Sequence, residues 1–529
     1  MPKKHDETFA QYKARVIDNV SDSFCAAKWL NATIWLGNGQ TTSCHHPLGH
    51  QIDAAELVDN PSAIHNTQHK KYMRKLMQEG QRPQECEYCW KIEDLGRNNI
   101  SDRVYKTAVF SEKDILNAAY SDWQTNTMLK TLEISFDRTC NFACSYCNPS
   151  FSTTWVKDIK RFGPYRNIDG DARSHFINAA DHAIPIPDET NPYIQAFWRW
   201  WEDGLADNLE EIRITGGEPL MAPGVWKLFD WFKNNQERAV NRPDGSVLRY
   251  AINSNLVPKD DIMDRLIEYS HYVPHLEIYT SAESYGKHSE YIRDGFIWDK
   301  WLHNLNRLHT EGNVKKTHLM MTINSLCLAS ITEFMDEILA FKRKHKTVYP
   351  TMSLNILRFP SFQSCAMLPI SIRQKYKEKL QSWLDDKIAQ DERVHMKNSG
   401  DWGWPILTPI EREQTQRLID YLDVIKTPHK NVINMAQQQL DFKQFYTQYD
   451  IRRNKNFRET FPSEFVEWFD SIDAQVPTKE EVLSGQYSDE TGHIPEHPPE
   501  DPSKEVFVNP DLDVQKTSSS PKNIWSSTD

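Results

Sequence analysis

Residues 131–147 read TLEISFDRTCNFACSYC, a β-like run that leads directly into three closely spaced cysteines. Apolar and polar residues alternate through the first six positions, which is typical of a strand with one buried face. Cys140, Cys144 and Cys147 then follow with the spacing Cys-x3-Cys-x2-Cys, and the next cysteine is Cys327. Because a closed tetrahedral metal site uses four ligands, this motif is one ligand short of such a site.

Five similar β-like runs follow along the chain, at 209–215, 248–253, 275–281, 318–324 and 351–357. The segments between them, such as APGVWKLFDWFKNNQE and ITEFMDEILAFKRKH, repeat apolar residues at helical spacing. Alternation of strands and helices predicts parallel β/α units and an α/β fold class. Six such units form either an incomplete barrel or a wound sheet.

Polar residues follow the ends of these predicted strands. Folds built from parallel β/α units place their chemistry at the carboxyl ends of the strands. Beyond the three cysteines, the candidates at these ends are Gly216, Gly217, Glu218, Pro219, Ser254, Asn255, Ser281 and Glu283. Arg293, in the stretch EYIRDG, lies slightly farther along the chain.

Thiolates are soft ligands that suit zinc or an iron–sulfur cluster, and a four-iron cluster held by three cysteines keeps one iron open. The three-cysteine motif, with Tyr146 before its last cysteine, and the Gly216–Pro219 motif GGEP resemble the radical S-adenosylmethionine (SAM) superfamily over roughly residues 130–360. This resemblance implies a partial (β/α)6 barrel with a 4Fe-4S cluster on the three cysteines and SAM at the open iron. It also implies reductive cleavage of SAM, a 5′-deoxyadenosyl radical that abstracts hydrogen from a substrate, and a reductant such as flavodoxin or ferredoxin.

The resemblance further implies a SAM-binding role for the polar residues around the strand ends. Gly216 and Gly217 allow the backbone to approach a ligand closely, and Glu218, positioned by Pro219, accepts a hydrogen bond from the SAM ammonium. The residues expected to meet the ribose hydroxyls or the carboxylate of SAM are Ser254, Asn255, Ser281, Glu283 and Arg293. Two alternatives stay open here: a structural zinc site on the three cysteines with a distant fourth ligand, and a solvated-surface or structural ion-pair role for Glu283 and Arg293.

A second group of cysteines lies near the N-terminus, at Cys25, Cys44, Cys86 and Cys89. The stretch ATIWLGNGQTTSC between the first two predicts a hairpin around residues 37–39, which would bring Cys25 and Cys44 together. The pattern resembles the SPASM/twitch auxiliary-cluster domain of radical SAM enzymes and implies a second 4Fe-4S cluster, although that domain usually follows the barrel. A zinc-ribbon-like site is the alternative, and His45 or His46 is a competing ligand.

Length and net charge bear on the number of domains, on nucleic-acid binding and on localisation. With 529 residues we expect several domains: an auxiliary-cluster domain at 1–105, a barrel at 125–365, a helical region at 366–473 and a disordered, acidic, Pro-rich tail at 474–529. The net charge of −12 argues against nucleic-acid binding. The chain has no apolar run long enough for a membrane and no secretory h-region, so we expect a cytoplasmic protein.

Three functions are consistent with these motifs. The first is a radical SAM enzyme, an oxidoreductase in the broad sense, that modifies a peptide or protein side chain. The second is a radical SAM dehydrogenase or cyclase that acts on a small molecule. The third is a zinc-stabilised binding protein without catalytic activity.

Overall fold

One large sheet organises the computed structural model, which describes residues 7–96, 99–172, 176, 189–397, 407–424 and 435–484. The strands are β1 (Asn31–Trp35), β2 (Gln40–Thr42), β3 (His50–Gln51), β4 (Thr131–Ser135), β5 (Ala143–Cys144), β6 (Glu211–Thr215), β7 (Arg249–Ser254), β8 (Leu276–Thr280), β9 (Arg293–Asp294), β10 (Lys316–Ile323) and β11 (Thr351–Ile356). Nine of them form a sheet in the order β11-β10-β8-β7-β6-β4-β1-β2-β3, and β5 pairs separately with β9.

The six strands predicted after residue 130 are adjacent in this sheet and run in chain order. Each pairs in parallel with the next, from β4 through β6, β7, β8 and β10 to β11. The expectation of a mixed α/β fold with a large parallel sheet is therefore confirmed. The curvature of this sheet into a partial (β/α)6 barrel stays a prediction, and so do the boundaries of the four domains.

The N-terminal hairpin belongs to the same sheet. Strand β1 pairs in parallel with β4, with Asn31 opposite Thr131, and β2 returns antiparallel to β1. The turn between β1 and β2 contains Gly39 with φ +72, a conformation that favours glycine. The predicted hairpin thus joins the sheet across about 100 residues of intervening chain, and its two strands lie between Cys25 and Cys44 in the sequence.

The helices lie between and around these strands. They are α1 (Phe9–Tyr12), α2 (Ala27–Leu30), α3 (Gln68–Gln78), α4 (Glu87–Asp94), α5 (Asp102–Thr107), α6 (Glu112–Tyr120), α7 (Thr153–Phe162), α8 (Pro192–Trp200), α9 (Ala206–Asn208), α10 (Pro223–Asn234), α11 (Gln236–Ala239), α12 (Asp260–Ser270), α13 (Lys287–Ile292), α14 (Trp298–Thr310), α15 (Ile331–His345), α16 (Ile370–Lys397), α17 (Pro409–Val424), α18 (Met435–Arg453), α19 (Phe457–Thr460), α20 (Ser463–Ser471) and α21 (Lys479–Leu483).

The two faces of the sheet differ in polarity because side chains alternate along each strand. One face carries buried apolar residues that belong to the main hydrophobic core, among them Ile134, Ile212, Ile252 and Ile278. The opposite face carries polar, mostly half-buried residues, namely Glu133, Arg213, Tyr279 and His318. We call these four residues the polar row.

The C-terminal helices cover the edge strand and close the structure. Glu411 and Gln414 of α17 accept hydrogen bonds from the backbone N–H groups of Met352 (2.8 Å) and Leu354 (2.6 Å) on β11, which satisfies an edge that would otherwise be open. Helix α21 lies inside the range predicted as the tail, and residues 485–529 lie outside the described residues. Among the helices of the described ranges, none has the length and apolarity needed to cross a membrane.

Candidate functional site

The three-cysteine loop lies between the carboxyl end of β4 and the start of α7. Helix α7 satisfies the backbone of the loop: the Thr154 hydroxyl donates to the carbonyl of Cys140 (2.6 Å), and the Trp155 ring donates to that of Cys144 (3.0 Å). Within the loop, the Cys147 N–H donates to the Cys144 carbonyl (2.9 Å). These bonds hold the three half-buried thiols on one short, ordered segment.

The pKa values of the three thiols agree with their close placement. Burial raises the pKa of Cys140 to about 12 and that of Cys144 to about 11, and it raises the pKa of Cys147 well above its ordinary value. Negative charge on Cys144 contributes to the raised pKa of both other thiols. A bound metal centre would offset this cost, because ligation by a cation favours the thiolate.

The GGEP turn packs directly against the three-cysteine loop. The Glu218 N–H donates to the Thr139 carbonyl (2.7 Å), so the loops that follow β4 and β6 are joined through the backbone. A Cβ atom at Gly217 would lie 2.4 Å from the Thr139 oxygen, and Gly216 has a φ of +123. Both positions therefore require glycine for this approach.

The Glu218 carboxylate is buried and held by three donors. It accepts from the Ser254 hydroxyl (2.8 Å) and from the N–H groups of Asn255 (2.7 Å) and Leu220 (3.1 Å). Burial raises its pKa to about 7, although these three bonds oppose the shift. The Asn255 side chain donates to Asn141 of the cysteine loop (2.7 Å). Three predicted SAM contacts thus lie together beside Cys140, and in this structure they bind one another.

Glu283 and Arg293 form a buried ion pair beside Cys144. Arg293 donates to Glu283 Oε2 from Nε (2.9 Å) and Nη2 (2.7 Å), and the Tyr146 hydroxyl donates to Glu283 Oε1 (3.1 Å). Arg293 Nη1 lies 3.8 Å from Cys144 Sγ, and this guanidinium opposes the rise in the pKa of Cys144. The ion pair left open by the sequence is present, whereas Ser281 is half-buried at the end of β8.

Helix α18 supplies contacts that the sequence did not predict. The Tyr446 hydroxyl lies 3.3 Å from Ser145 Oγ and 3.2 Å from Gln363 Oε1, and Gln363 donates to the Ser145 carbonyl (2.8 Å). Ser145 lies between two of the cysteines, about 300 residues before Tyr446. No sequence motif marks these residues, because their role arises only from the way α18 packs on the loop.

The four N-terminal cysteines line a single small cavity. They come from four places: before α2, after β2, at the start of α4 and within α4. Burial raises the pKa of Cys89 to about 12, and charge on Cys25 and Cys44 contributes to that rise. Lys28 and Arg103 also line the cavity, together with Lys106. The structure therefore places around one cavity the four cysteines that the sequence grouped by their pattern.

The spacing of the sulfurs bears on the choice between zinc and a cluster. A tetrahedral zinc ion with Zn–S bonds of about 2.3 Å holds its sulfurs about 3.8 Å apart. Among the described residues, only His45, His46 and Asp102 bring three potential ligand atoms within 4.8 Å of one another. In neither cysteine group do three sulfur atoms all lie within 4.8 Å of one another. A four-iron cluster binds each thiolate to a different iron and holds the thiolates farther apart, and the choice between zinc and a cluster stays a prediction for both groups.

The histidine and aspartate side chains next to Cys44 form their own contact. Asp102 Oδ2 lies 2.8 Å from His46 Nε2 and 3.3 Å from His45 Nε2. The His46 ring stacks on Tyr88 at a centroid distance of 3.9 Å. His46 and Asp102 also line the cysteine cavity. The expectation that a histidine competes for a place at this site therefore stays a prediction.

The two cysteine groups lie at opposite ends of the sheet. The three-cysteine loop follows the carboxyl end of β4, while Cys25 precedes β1 and Cys44 follows β2. Because β1 is parallel to and in register with β4, these two cysteines lie at the amino end of β4. The five residues of β4 span roughly 17 Å, and the polar row crosses the sheet between the two ends.

The two remaining cysteines belong to neither group. Cys327 and Cys365 are fully buried, and Cys327 Sγ contacts the Asn324 carbonyl at 3.1 Å.

Comparisons with known proteins complete the description of the chain. No family model matches it, and neither does any curated protein. Among solved structures, it is similar to Streptococcus suis SuiB bound to S-adenosylmethionine, with 12% identity over 68% of this chain and 69% of that chain and a TM-score of 0.32. Streptococcus suis SuiB bound to precursor peptide SuiA has 12% identity over 68% of this chain and 70% of that chain, with a TM-score of 0.32. A further SuiB structure has 13% identity over 61% of this chain and 63% of that chain, with a TM-score of 0.29. At these scores the likeness carries no argument about fold or function.

Proposed function

We propose that the chain is a radical SAM enzyme, with a catalytic 4Fe-4S cluster on Cys140, Cys144 and Cys147 and SAM as the remaining ligand. The observation that carries this proposal is the backbone bond from Glu218 to Thr139, which packs the GGEP turn against the three-cysteine loop. Two motifs that are separately weak are therefore neighbours at the carboxyl ends of adjacent parallel strands. When bound, the cluster supplies the electron that cleaves SAM.

The residues of the chain have distinct roles in this proposal. Glu218, held by Ser254 and by the Asn255 backbone, is oriented to accept a hydrogen bond from the SAM ammonium. Arg293 is fixed by Glu283 and offers positive charge to the Cys144 thiolate. Helix α18 and the start of α7 exclude water from the back of the loop, because their tyrosine and tryptophan side chains cover it.

We assign the second 4Fe-4S cluster to the cavity formed by Cys25, Cys44, Cys86 and Cys89. Four thiolates suit a fully ligated cluster, which favours electron transfer over direct binding of substrate. Three cationic side chains line the same cavity, and they balance the negative charge that four thiolates introduce.

We assign the substrate, a peptide or protein side chain, to the polar row between the two clusters. Arg213 lies 4.3 Å above the Tyr279 ring, and the Tyr279 ring stacks on His318 at 4.4 Å. Glu133 is opposite Arg213 in the register of β4 and β6, and burial raises the pKa of its carboxyl group. Charged groups next to flat rings suit the polar backbone and side chains of a peptide.

Anaerobic purification, iron and sulfide analysis and an assay for 5′-deoxyadenosine test the proposal. With SAM and dithionite, the wild-type protein should hold about eight irons per chain and release 5′-deoxyadenosine. Cys144→Ala should abolish the release and retain about four irons, whereas Cys327→Ala, which alters a buried thiol outside both groups, should change neither. Release by Cys144→Ala, or zinc in place of iron in the wild type, would refute the assignment.

The substrate class needs a separate measurement. Peptides co-expressed with the enzyme should be searched by mass spectrometry for a change in mass that the Cys144→Ala variant does not produce. Turnover of a small molecule, with no modified peptide, would favour the dehydrogenase or cyclase instead.

A further inference from the structure

Lys28 is a buried cation beside the four-cysteine cavity. It lies on α2, three residues after Cys25, and only 2% of the residue is exposed. Its ammonium group forms an ion pair with Glu85, and Lys28, unlike Glu85, lines the cavity. Lys28 is therefore the member of the pair that lines the cavity together with the four cysteines.

The other two cations of the cavity are balanced or screened to a greater extent. Arg103 donates to Glu93 (2.7 Å) and to Asp18 (3.0 Å), so two carboxylates offset its charge. Lys106 also acts on Cys44, where its charge opposes the rise in pKa that burial causes, but unlike Lys28 it is half-buried and closer to water. Lys28 combines nearly complete burial with a single carboxylate partner, and its charge acts on the cavity through a medium of low polarity.

The carboxylate partner of Lys28 is itself held on its other side. Glu85 Oε2 lies 2.6 Å from His69 Nε2, while Glu85 Oε1 contacts Lys28. Burial leaves Glu85 only 13% exposed at its side chain, so both charges of the pair are fixed in place. A fixed pair of this kind has a constant orientation toward the cavity.

We propose that the Lys28–Glu85 pair sets the reduction potential of the iron–sulfur cluster bound by Cys25, Cys44, Cys86 and Cys89, with Lys28 raising it and Glu85 lowering it. This inference rests on the proposed function, because it requires the second cluster. Reduction adds one electron, and therefore one negative charge, to the cluster. A nearby buried positive charge stabilises the reduced form, which makes the cluster a better electron acceptor.

A redox titration of the second cluster alone tests the proposal. The full-length chain is prepared with Cys140, Cys144 and Cys147 all changed to Ala, so that only the N-terminal cluster is reduced by dithionite in the presence of mediators. The midpoint potential is followed by optical absorption and by electron paramagnetic resonance of the reduced form. This readout does not depend on SAM cleavage or on a known substrate.

Opposite shifts are expected for the two members of the pair. Lys28→Met should move the midpoint to more negative potential, and Glu85→Gln should move it to more positive potential. Lys28→Arg, which keeps the charge, should stay close to the starting value. Lys91→Met is the matched control, because Lys91 lies on the same helix as Cys89 but is 71% exposed, and it should leave the midpoint unchanged.

The outcomes separate this inference from the proposed function. Midpoints that do not move, or that move in the same direction for Lys28→Met and Glu85→Gln, would overturn the role of the pair while leaving the cluster assignment intact. If Lys28→Met fails to assemble a cluster, Glu85→Gln and Lys28→Arg still decide the question. A parent protein that holds no cluster in the N-terminal cavity would overturn both.

Discussion

Gly217→Ala is the substitution that tests most directly whether the GGEP turn supports the three-cysteine loop. The new Cβ atom would lie 2.4 Å from the Thr139 oxygen and 2.6 Å from the Arg138 oxygen, both of them backbone atoms. Ordinary contact begins at 3.4 Å, so the two loops must separate by about 1 Å. Overpacking of this kind, together with loss of the bond from Glu218 N–H to the Thr139 carbonyl, should cost about 2–4 kcal/mol.

Two measurements on Gly217→Ala report the separation of the GGEP turn from the three-cysteine loop. The midpoint of denaturant-induced unfolding should fall, and iron bound at the three-cysteine site should decrease together with the release of 5′-deoxyadenosine. Gly96→Ala is the matched control, because its nearest neighbour would be the Asn99 amide at 3.6 Å, and it should stay within a few tenths of a kcal/mol of the wild type. If Gly217→Ala binds iron and cleaves SAM as well as Gly96→Ala does, the proposed support of the loop by the turn is wrong.

Two further predictions concern buried charges. Because burial raises the pKa of Glu218 to about 7, the native state binds this proton more tightly than the unfolded state does, and the resulting stability is lost as the pH rises toward 7. The free energy of unfolding of the metal-free protein should therefore fall between about pH 5 and pH 7.5, less so in Glu218→Gln, and equal slopes would contradict the shift. Lys342 and Glu411 form an ion pair at 2.6 Å with side chains only 2% and 1% exposed, so Lys342→Met should cost about 3–5 kcal/mol by leaving the carboxylate buried and unpaired. The partly exposed Lys344→Met serves as the control in denaturant titrations, and equal loss in the two variants would argue against a special role for the buried pair.

The six strands after residue 130 were predictable because their signal is local. Alternating apolar residues and the helical spacing between the runs reflect which face of each element is buried, and this is written into neighbouring residues. The same holds for the GGEP turn, where consecutive glycines predict close approach of the backbone. The identity of the approached segment, the carbonyls of Arg138 and Thr139, was not predictable from the turn alone.

Contacts across long separations were not predictable in the same way. Nothing in the β1 hairpin indicates that Asn31 pairs with Thr131, or that the four N-terminal cysteines line one cavity. The resemblance implied SAM contacts for Glu283 and Arg293, with a structural ion pair as the alternative, and in the structure the two bind each other beside Cys144. No role was predicted for Lys28 in the stretch CAAKWL, although a lysine among apolar residues near a cysteine is a detectable signal.

The order of the strands and helices, the two groups of cysteines and the glycines that permit close packing could be read from local sequence, because each depends on residues that are near neighbours in the chain. Which groups meet depends on the fold: Glu218 contacts Thr139, Tyr446 contacts Ser145, and Lys28 lines the N-terminal cavity with the four cysteines. The physical reason is that burial, ion pairing and electrostatic coupling depend on distances between atoms far apart in the chain, and those distances exist only once the sheet has formed.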